Sequence, residues 1–318
     1  MAQPGNTFDT YDMKGIREQL SDIIYNISPT DTPMFSSMGK GKASNTQYKW
    51  LTDSLAAASA SNHQVEGDDY SAQAQSASQE LHNYTQIYAK NFIITGTDDA
   101  VDAAGRSTQL AYSLAKNSKE LKRDVEAGIT QANVIPTVGA SNAARKTAGL
   151  RTWLNTNNSM GAGGAKAAHT NGVPTGVRTD GTQRAFSESL LKQIIRECFV
   201  AGGNPDTIMV GPFNKQAISG FTGGSTAFRN VPAKTIVATV DVYQSDFGTL
   251  TVKPNRFQRD RDAFVLDSEY WGFNVLRPFQ NSQLAKTGDN THMLLLMEGG
   301  VVSRNEASSG IIADLTTS

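Results

Sequence analysis

A chain of 318 residues with 38% hydrophobic and 19% charged residues can bury more than one core and is too rich in apolar runs for global disorder. Its net charge of −1 excludes a protein that grips nucleic acid with an overall basic face, because that grip depends on many cations releasing counterions. The single cysteine, Cys198, excludes an intramolecular disulfide, and no stretch approaches the about 20 apolar residues of a membrane span, so no membrane partner is expected.

Residues 1–45 read as an extended arm. MAQPGNTFDTYDMKG has no basic n-region and no apolar h-region, which predicts a cytoplasmic protein at synthesis. Ile16, Leu20, Ile23 and Ile24 predict one amphipathic helix between Asp12 and Ile27. SPTDTPMFSSMGKGKASN then breaks all regularity, with Pro29 and Pro33 biasing their neighbours toward extended backbone. Met34, Phe35 and Met38 are apolar but isolated, and suit docking onto something else.

TQYKWLT (46–52) and TQIYAKNFIITGT (85–97) follow as strands. Tyr48 and Trp50 share one face, as do Tyr88, Phe92 and Ile94. The tract between Leu55 and Leu81 has only Val65 and Tyr70 as large apolar residues. It cannot bury enough surface to offset the entropy of ordering it. A polar hairpin without a core reads as an arm that a neighbouring molecule orders, and deleting 56–80 is expected to leave a folded monomer that fails to assemble.

The period changes over 98–132. Leu110, Leu114, Leu121, Val125 and Ile129 form one stripe, with Ala111, Ser118 and Gly128 beside it. Thr97 is the expected N-cap, and the helix is expected to run roughly 50 Å at about 1.5 Å per residue. AARKTAGLRTWL is a short amphipathic piece, and the Gly/Asn/Thr-rich stretch to 185 is loop. Ser187 caps a helix with Leu190, Leu191, Ile194, Ile195, Cys198 and Phe199 inward, ended by Gly202 and Gly203. TIMVG (207–211) is a buried strand, and Pro212 opens a second helix. TIVATVDVYQS (235–245) and TLTVKP (249–254) alternate around the turn SDFG. FVLD (264–267), YWGFNVLRPF (270–279), THMLLLME (291–298) and VVSRN (301–305) are further strands, with KTGD (286–289) as a turn.

No chemistry-bearing motif stands out. His63, His82, His169 and His292 lack partners at metal-site spacing and read as solvated or locally bonded. GAGGAK (161–166) fails the phosphate-loop pattern because Ala167 follows Lys166. Asp246-Phe247-Gly248 lacks every other kinase element and reads as a hairpin turn. Glu66 and DDY (68–70) are too few for a calcium loop. Cys198 reads as a small buried hydrophobe. RFQRDRD (256–262), with Arg256, Arg259 and Arg261, reads as a solvated charged turn, with a salt-bridge patch between subunits as the second reading. No nucleophile beside a base can be nominated.

The order of elements is informative: N-terminal arm, polar two-stranded loop, long helix, Gly-rich loop, α/β part, long β region with a tight tip. This order resembles the major capsid proteins of tailed bacteriophages, whose α+β fold is shared by encapsulin shells and the floor of herpesvirus capsids. IYNISPTDTPMFSSMGKGKASNTQYKW (24–50), NPDTIMVGPFNKQAISGF (204–221), VYQSDFGTLTVKPNR (242–256) and MEGGVVSRNEASSGII (297–312) are similar to the branch typified by SU-ten.

The resemblance implies an N-terminal arm at 1–45 and an extended loop at 46–96 lying over a neighbour. It implies a peripheral domain of 97–185 and 268–302 around the spine helix, and an axial domain of 186–267 and 303–318. Lys286 to Asp289 would be a tip near three-fold contacts. Met34, Phe35, Tyr48, Trp50, Tyr70, Tyr88, Lys90, Phe92, Arg256, Arg259, Arg261, Lys286 and Asp289 are the candidate contacts between subunits. Lys90 is also the arm lysine for any crosslink to a neighbour's Asn, but no motif pins a partner. The implied protein is not an enzyme and has no catalytic, metal or cofactor residue. Its implied partners are itself, in hexamers and pentamers, a portal protein, a separate scaffolding protein, an optional decoration protein and non-specifically contacted double-stranded DNA. The implied location is the virion capsid, assembled in the host bacterial cytoplasm. An encapsulin-like cargo shell and an α+β metabolic enzyme are the alternatives. A cargo gene nearby would mark the first, and a convergent polar pocket around Arg256–Asp262 the second.

Overall fold

The computed structural model describes residues 31–67, 69, 77–101, 108–221 and 241–317. The expected helix at Asp12–Ile27, Tyr70, and most of the expected strand at 235–245 lie outside the described residues. In chain order the elements are α1 (Pro33–Ser37), β1 (Gly39–Lys42), β2 (Gln47–Thr52), β3 (Gln79–Tyr84), β4 (Gln86–Thr95), α2 (Gly96–Ala100), α3 (Gln109–Thr130) and α4 (Leu150–Trp153). They continue with β5 (Asn157–Ser159), β6 (His169–Thr170), β7 (Val173–Pro174), α5 (Glu188–Val200), β8 (Thr207–Val210), α6 (Pro212–Ser219), β9 (Val242–Ser245) and β10 (Gly248–Pro254). The last are β11 (Ala263–Leu266), β12 (Trp271–Gln283), β13 (Asn290–Ser303) and β14 (Gly310–Ile312).

Two sheets organise these elements. The first has the order β1-β12-β13-β4 and is built on the long antiparallel β12–β13 pair. At about 3.3 Å per residue, β13 spans roughly 45 Å. The β12 register shifts at Val275/Arg277 and Arg277/Gln280, bracketing Pro278, whose nitrogen has no hydrogen to give a ladder. Helix α3 packs on this sheet through Leu121, Val125 and Ile129, which join Tyr88, Phe273, Leu295, Met297 and Val301 in one core.

The second sheet has the order β5-β14-β11-β8-β10-β9. Its central strands β8 (TIMV) and β11 (AFVL) are buried at every residue, as strands covered on both faces must be. Leu191, Ile194, Ile195 and Cys198 of α5 and Ile218 of α6 complete its core with Ile208, Val210, Val252 and Val265. Burial pushes the Cys198 thiol up to about 12, so this cysteine is an inert apolar group.

Several expectations change. The helix expected over 98–132 is two helices. Thr95 rather than Thr97 caps α2, which ends where Val101 turns extended. Thr108 starts α3 by accepting a hydrogen bond from the Ala111 amide at 3.3 Å. At about 1.5 Å per residue α3 is roughly 33 Å long, not 50 Å. The arm hairpin also closes differently. β2 pairs with β3, from Gln47↔Tyr84 to Thr52↔Gln79, while β4 crosses to the first sheet and pairs with β13. QELHNY carries no β-branched residue, so β3 has little strand signal. Phe199 is exposed rather than inward and rests on Phe247 at 4.8 Å between ring centroids.

The strands expected at 291–298 and 301–305 merge into one, β13, which ends at Ser303, because Gly299 and Gly300 serve close approach rather than a turn. A β-carbon on Gly300 would lie 2.8 Å from both the Tyr84 carbonyl and Thr147 Oγ1, and against the Tyr48 hydroxyl. Gly300→Ala is therefore expected to destabilise the chain by about 1–3 kcal/mol, as overpacking does. Thermal unfolding measures this, and a melting temperature equal to wild type would show that the Tyr48 contact can yield.

Candidate intersubunit surfaces

The base of the arm is fastened to its own chain. On the inner face of β2, the Tyr48 hydroxyl donates to the Val301 carbonyl at 2.8 Å and Trp50 Nε1 donates to the Ser303 carbonyl at 2.8 Å. The two rings stack at 5.8 Å, and Trp50 continues onto Trp153 at 5.6 Å. From β3, the buried Asn83 donates to Val301 O at 2.8 Å and accepts from the Ala148 amide at 3.1 Å. Thr85 donates to Glu298 Oε1 at 2.8 Å, and Arg145 and Arg277 grip the same carboxylate. Burial would raise the Glu298 pKa, but these donors outweigh it and hold the group below its usual value. Tyr48 and Trp50, expected to touch a neighbour, are thus anchors of the arm within the subunit. Period-2 spacing identified their shared face but not what that face meets.

Past this base the arm lies open to solvent over 53–67. Every described residue from 53 to 67 is exposed, including Leu55 at 99% and Val65 at 71%. Leu51, on the outer face of β2, is 68% exposed.

The other candidates divide between buried and exposed positions. Tyr88 is buried against Gly128 of α3, whose missing side chain makes room for the ring. Phe92 packs at the edge of the same core. Lys90 forms an ion pair with Asp124 at 2.9 Å and lies 4.0 Å from Glu120, both on α3. These three therefore join β4 to α3 within the chain. Met34 and Met38, taken for docking residues, are 2% and 3% exposed in the chain's own core. Phe35 meets Phe273 edge-on at 5.2 Å. Among the described candidates, only Lys286, Asp289 and Arg256 stand exposed.

Two buried charge sites had no sequence signal. Glu126, on α3 and fully buried, accepts from the amides of Met34 at 2.9 Å and Phe35 at 2.7 Å and from Asn255 Nδ2 at 2.6 Å. Burial raises its pKa against the pull of those donors. It ties the arm, the long helix and the segment after β10 at one point.

The second site corrects the reading of 256–262 as a solvated turn. Arg259 and Arg261 turn inward to Asp180 and Asp314. Asp262, fully buried, lies 2.7 Å from Nε of Arg151, itself 4% exposed. That N–H is not aligned on the oxygen, so the contact is Coulombic rather than a hydrogen bond. Arg178, also 4% exposed, donates to the Leu154 carbonyl at 2.9 Å. The hydrogen bonds and charge of Arg259, with Arg151 and Arg261 beyond, hold Asp180 down to about 2.

None of this forms a catalytic constellation. An open groove of about 1730 Å³ lies between the arm base and the 169–175 hairpin, and two of its lining side chains are engaged in fastening the chain. His169 Nε2 bonds to the Thr152 carbonyl at 2.8 Å, and Glu306 accepts from the amides of Asn155 and Thr156. Among the described residues no cluster of three or more His, Cys, Asp or Glu is placed to hold a metal.

A family model described as the SU10 major capsid protein matches residues 3–316. The major capsid protein of Escherichia phage Phieco32 is 28% identical, with 98% of this chain and 97% of that protein covered. Among solved structures, the cyanophage A-1(L) capsid asymmetric unit superposes with a TM-score of 0.67 at 12% identity, covering 97% of this chain and 99% of the other. The phage G major capsid protein, solved with decoration proteins, gives 0.57 at 12% identity and covers 99% and 100%.

Proposed function

The chain belongs to the SU10 major capsid protein family, and from that premise we propose how this phage capsid subunit assembles. It forms hexamers and pentamers of an icosahedral head around double-stranded DNA, and its arm beyond Thr52 lies on a neighbouring copy. The observation that carries the reading is the contrast along the arm: a base fastened by Tyr48, Trp50 and Asn83, then a run from 53 to 67 exposed at every described residue. Rigid fastening aims the arm, and a free reach lets one sequence meet neighbours at inequivalent positions.

In this reading 1–45 is the N-terminal arm and 46–96 the extended loop. Residues 97–185 and 268–302 form the peripheral domain, and 186–267 with 303–318 the axial domain. Lys286 and Asp289 on the β12–β13 turn and Arg256 are the retained contact candidates, because they are exposed. A portal, a scaffolding protein and a decoration protein are the further partners, with assembly in the host cytoplasm. The role is structural, without catalysis. Electron microscopy of the concentrated pure protein tests it: uniform shells tens of nanometres across are expected, and a discrete dimer or tetramer would sink the reading.

A further inference from the structure

The net charge of −1 conceals a segregated basic stripe on α3. At about 100° per residue, Lys116, Lys119 and Arg123 fall within roughly 60° of arc, spread over about 10 Å of helix axis. Lys116 and Lys119 are exposed, Arg123 is half-buried, and exposed Lys122 flanks them. The helix's acidic residues are drawn away from this face. Glu120 and Asp124 turn to Lys90 of β4, and Glu126 is buried beneath α1. Among the described residues none of the four cations is in an ion pair. Arg123 lies 5.0 Å over the Phe257 ring, and exposed Arg256 precedes that residue in sequence.

We propose that this face of α3 points into the head and contacts the phosphate backbone of the packaged double-stranded DNA. The inference rests on the capsid reading above. Duplex DNA carries one negative charge per about 1.7 Å of axis, so a short row of unpaired cations meets several phosphates without reading bases. Three or four cations per subunit make each contact weak and salt-labile, which suits DNA that must be enclosed and later released. An acidic protein segment is the competing occupant. DNA is favoured because a row of like charges along about 10 Å of helix matches the close, regular spacing of backbone phosphates.

The test uses the full-length protein and the variant K116Q/K119Q/R123Q. Gln keeps helix propensity close to that of Lys and Arg, and circular dichroism checks the fold. Binding to a random duplex of about 30 base pairs is followed across a salt series. The wild-type slope of log affinity against log salt is expected to be steeper than the variant's by about 2.7, at roughly 0.9 per phosphate contact. K192Q/R196Q, which removes two exposed cations from α5, is expected to keep the wild-type slope. Equal slopes for wild type and the triple variant, or no duplex binding by wild type at low salt, would overturn the proposal. So would a triple variant that binds duplex normally but forms no shells, since the stripe would then be a protein contact. Failure of the wild type to form shells at all would instead count against the capsid assembly reading.

Discussion

Arg151→Met is expected to destabilise the subunit by about 3–5 kcal/mol, because it strands a buried carboxylate. Asp262 is 0% exposed and Arg151 4%, and their 2.7 Å contact sits beneath the 256–262 turn. Burial already raises the Asp262 pKa, with Arg151 the first of the cations that oppose it. Without Arg151 the charge must be carried uncompensated or the group must take up a proton, and either route costs folding free energy. Arg178 gives partial relief, though its own pKa is already lowered by burial to about 10. For a chain of this size the loss corresponds to a drop in melting temperature on the order of 10 °C. R151M/D262N, which removes both charges, should recover more than half of it, since a buried pair is worth far less than the penalty of breaking it. Thermal unfolding of the two variants decides the matter: an R151M melting point within about 2 °C of wild type would mean the pair is not desolvated in solution.

That cluster also marks where sequence reading stops. RFQRDRD looks like a surface turn because its partners Arg151, Asp180 and Asp314 lie 53 to 111 residues away, and nothing local announces them. Glu126 is equally silent: its helix reads as amphipathic, but only the fold brings the Met34 and Phe35 amides to it. Met34 and Met38 looked isolated because the surface they fill belongs to β12 and α3. Signals carried by neighbours in sequence survived better. TIMV and its following Pro212 gave β8 and α6, SDFG gave the β9–β10 turn, and the alternation in QYKWLT gave the inner face of β2. The break between α2 and α3 has little sequence signal: the apolar stripe from Leu110 to Ile129 lies wholly in α3, and the Thr95 and Thr108 caps are single residues.

Deleting 56–77 is expected to abolish shell formation while leaving the subunit folded. The boundary follows the structure: β3 begins at Gln79, so a deletion through residue 80 would cut its pairing with β2. Removing 56–77 leaves Asp53, Ser54, Leu55 and Ser78 between Thr52 and Gln79, a loop length that hairpins commonly use. The anchors on Val301, Ser303 and Ala148 are untouched. Shortening the loop lowers its closure entropy cost by about 1–2 kcal/mol, so the monomer should melt at or above the wild-type temperature. Loss of assembly would then come from lost reach rather than lost stability, a distinction that point variants in the buried base cannot make. Electron microscopy and thermal unfolding of the same sample provide the two readings. Normal shells from the shortened chain would show that the exposed tract is dispensable, and the contacts between subunits would have to be sought at Lys286, Asp289 and Arg256 instead.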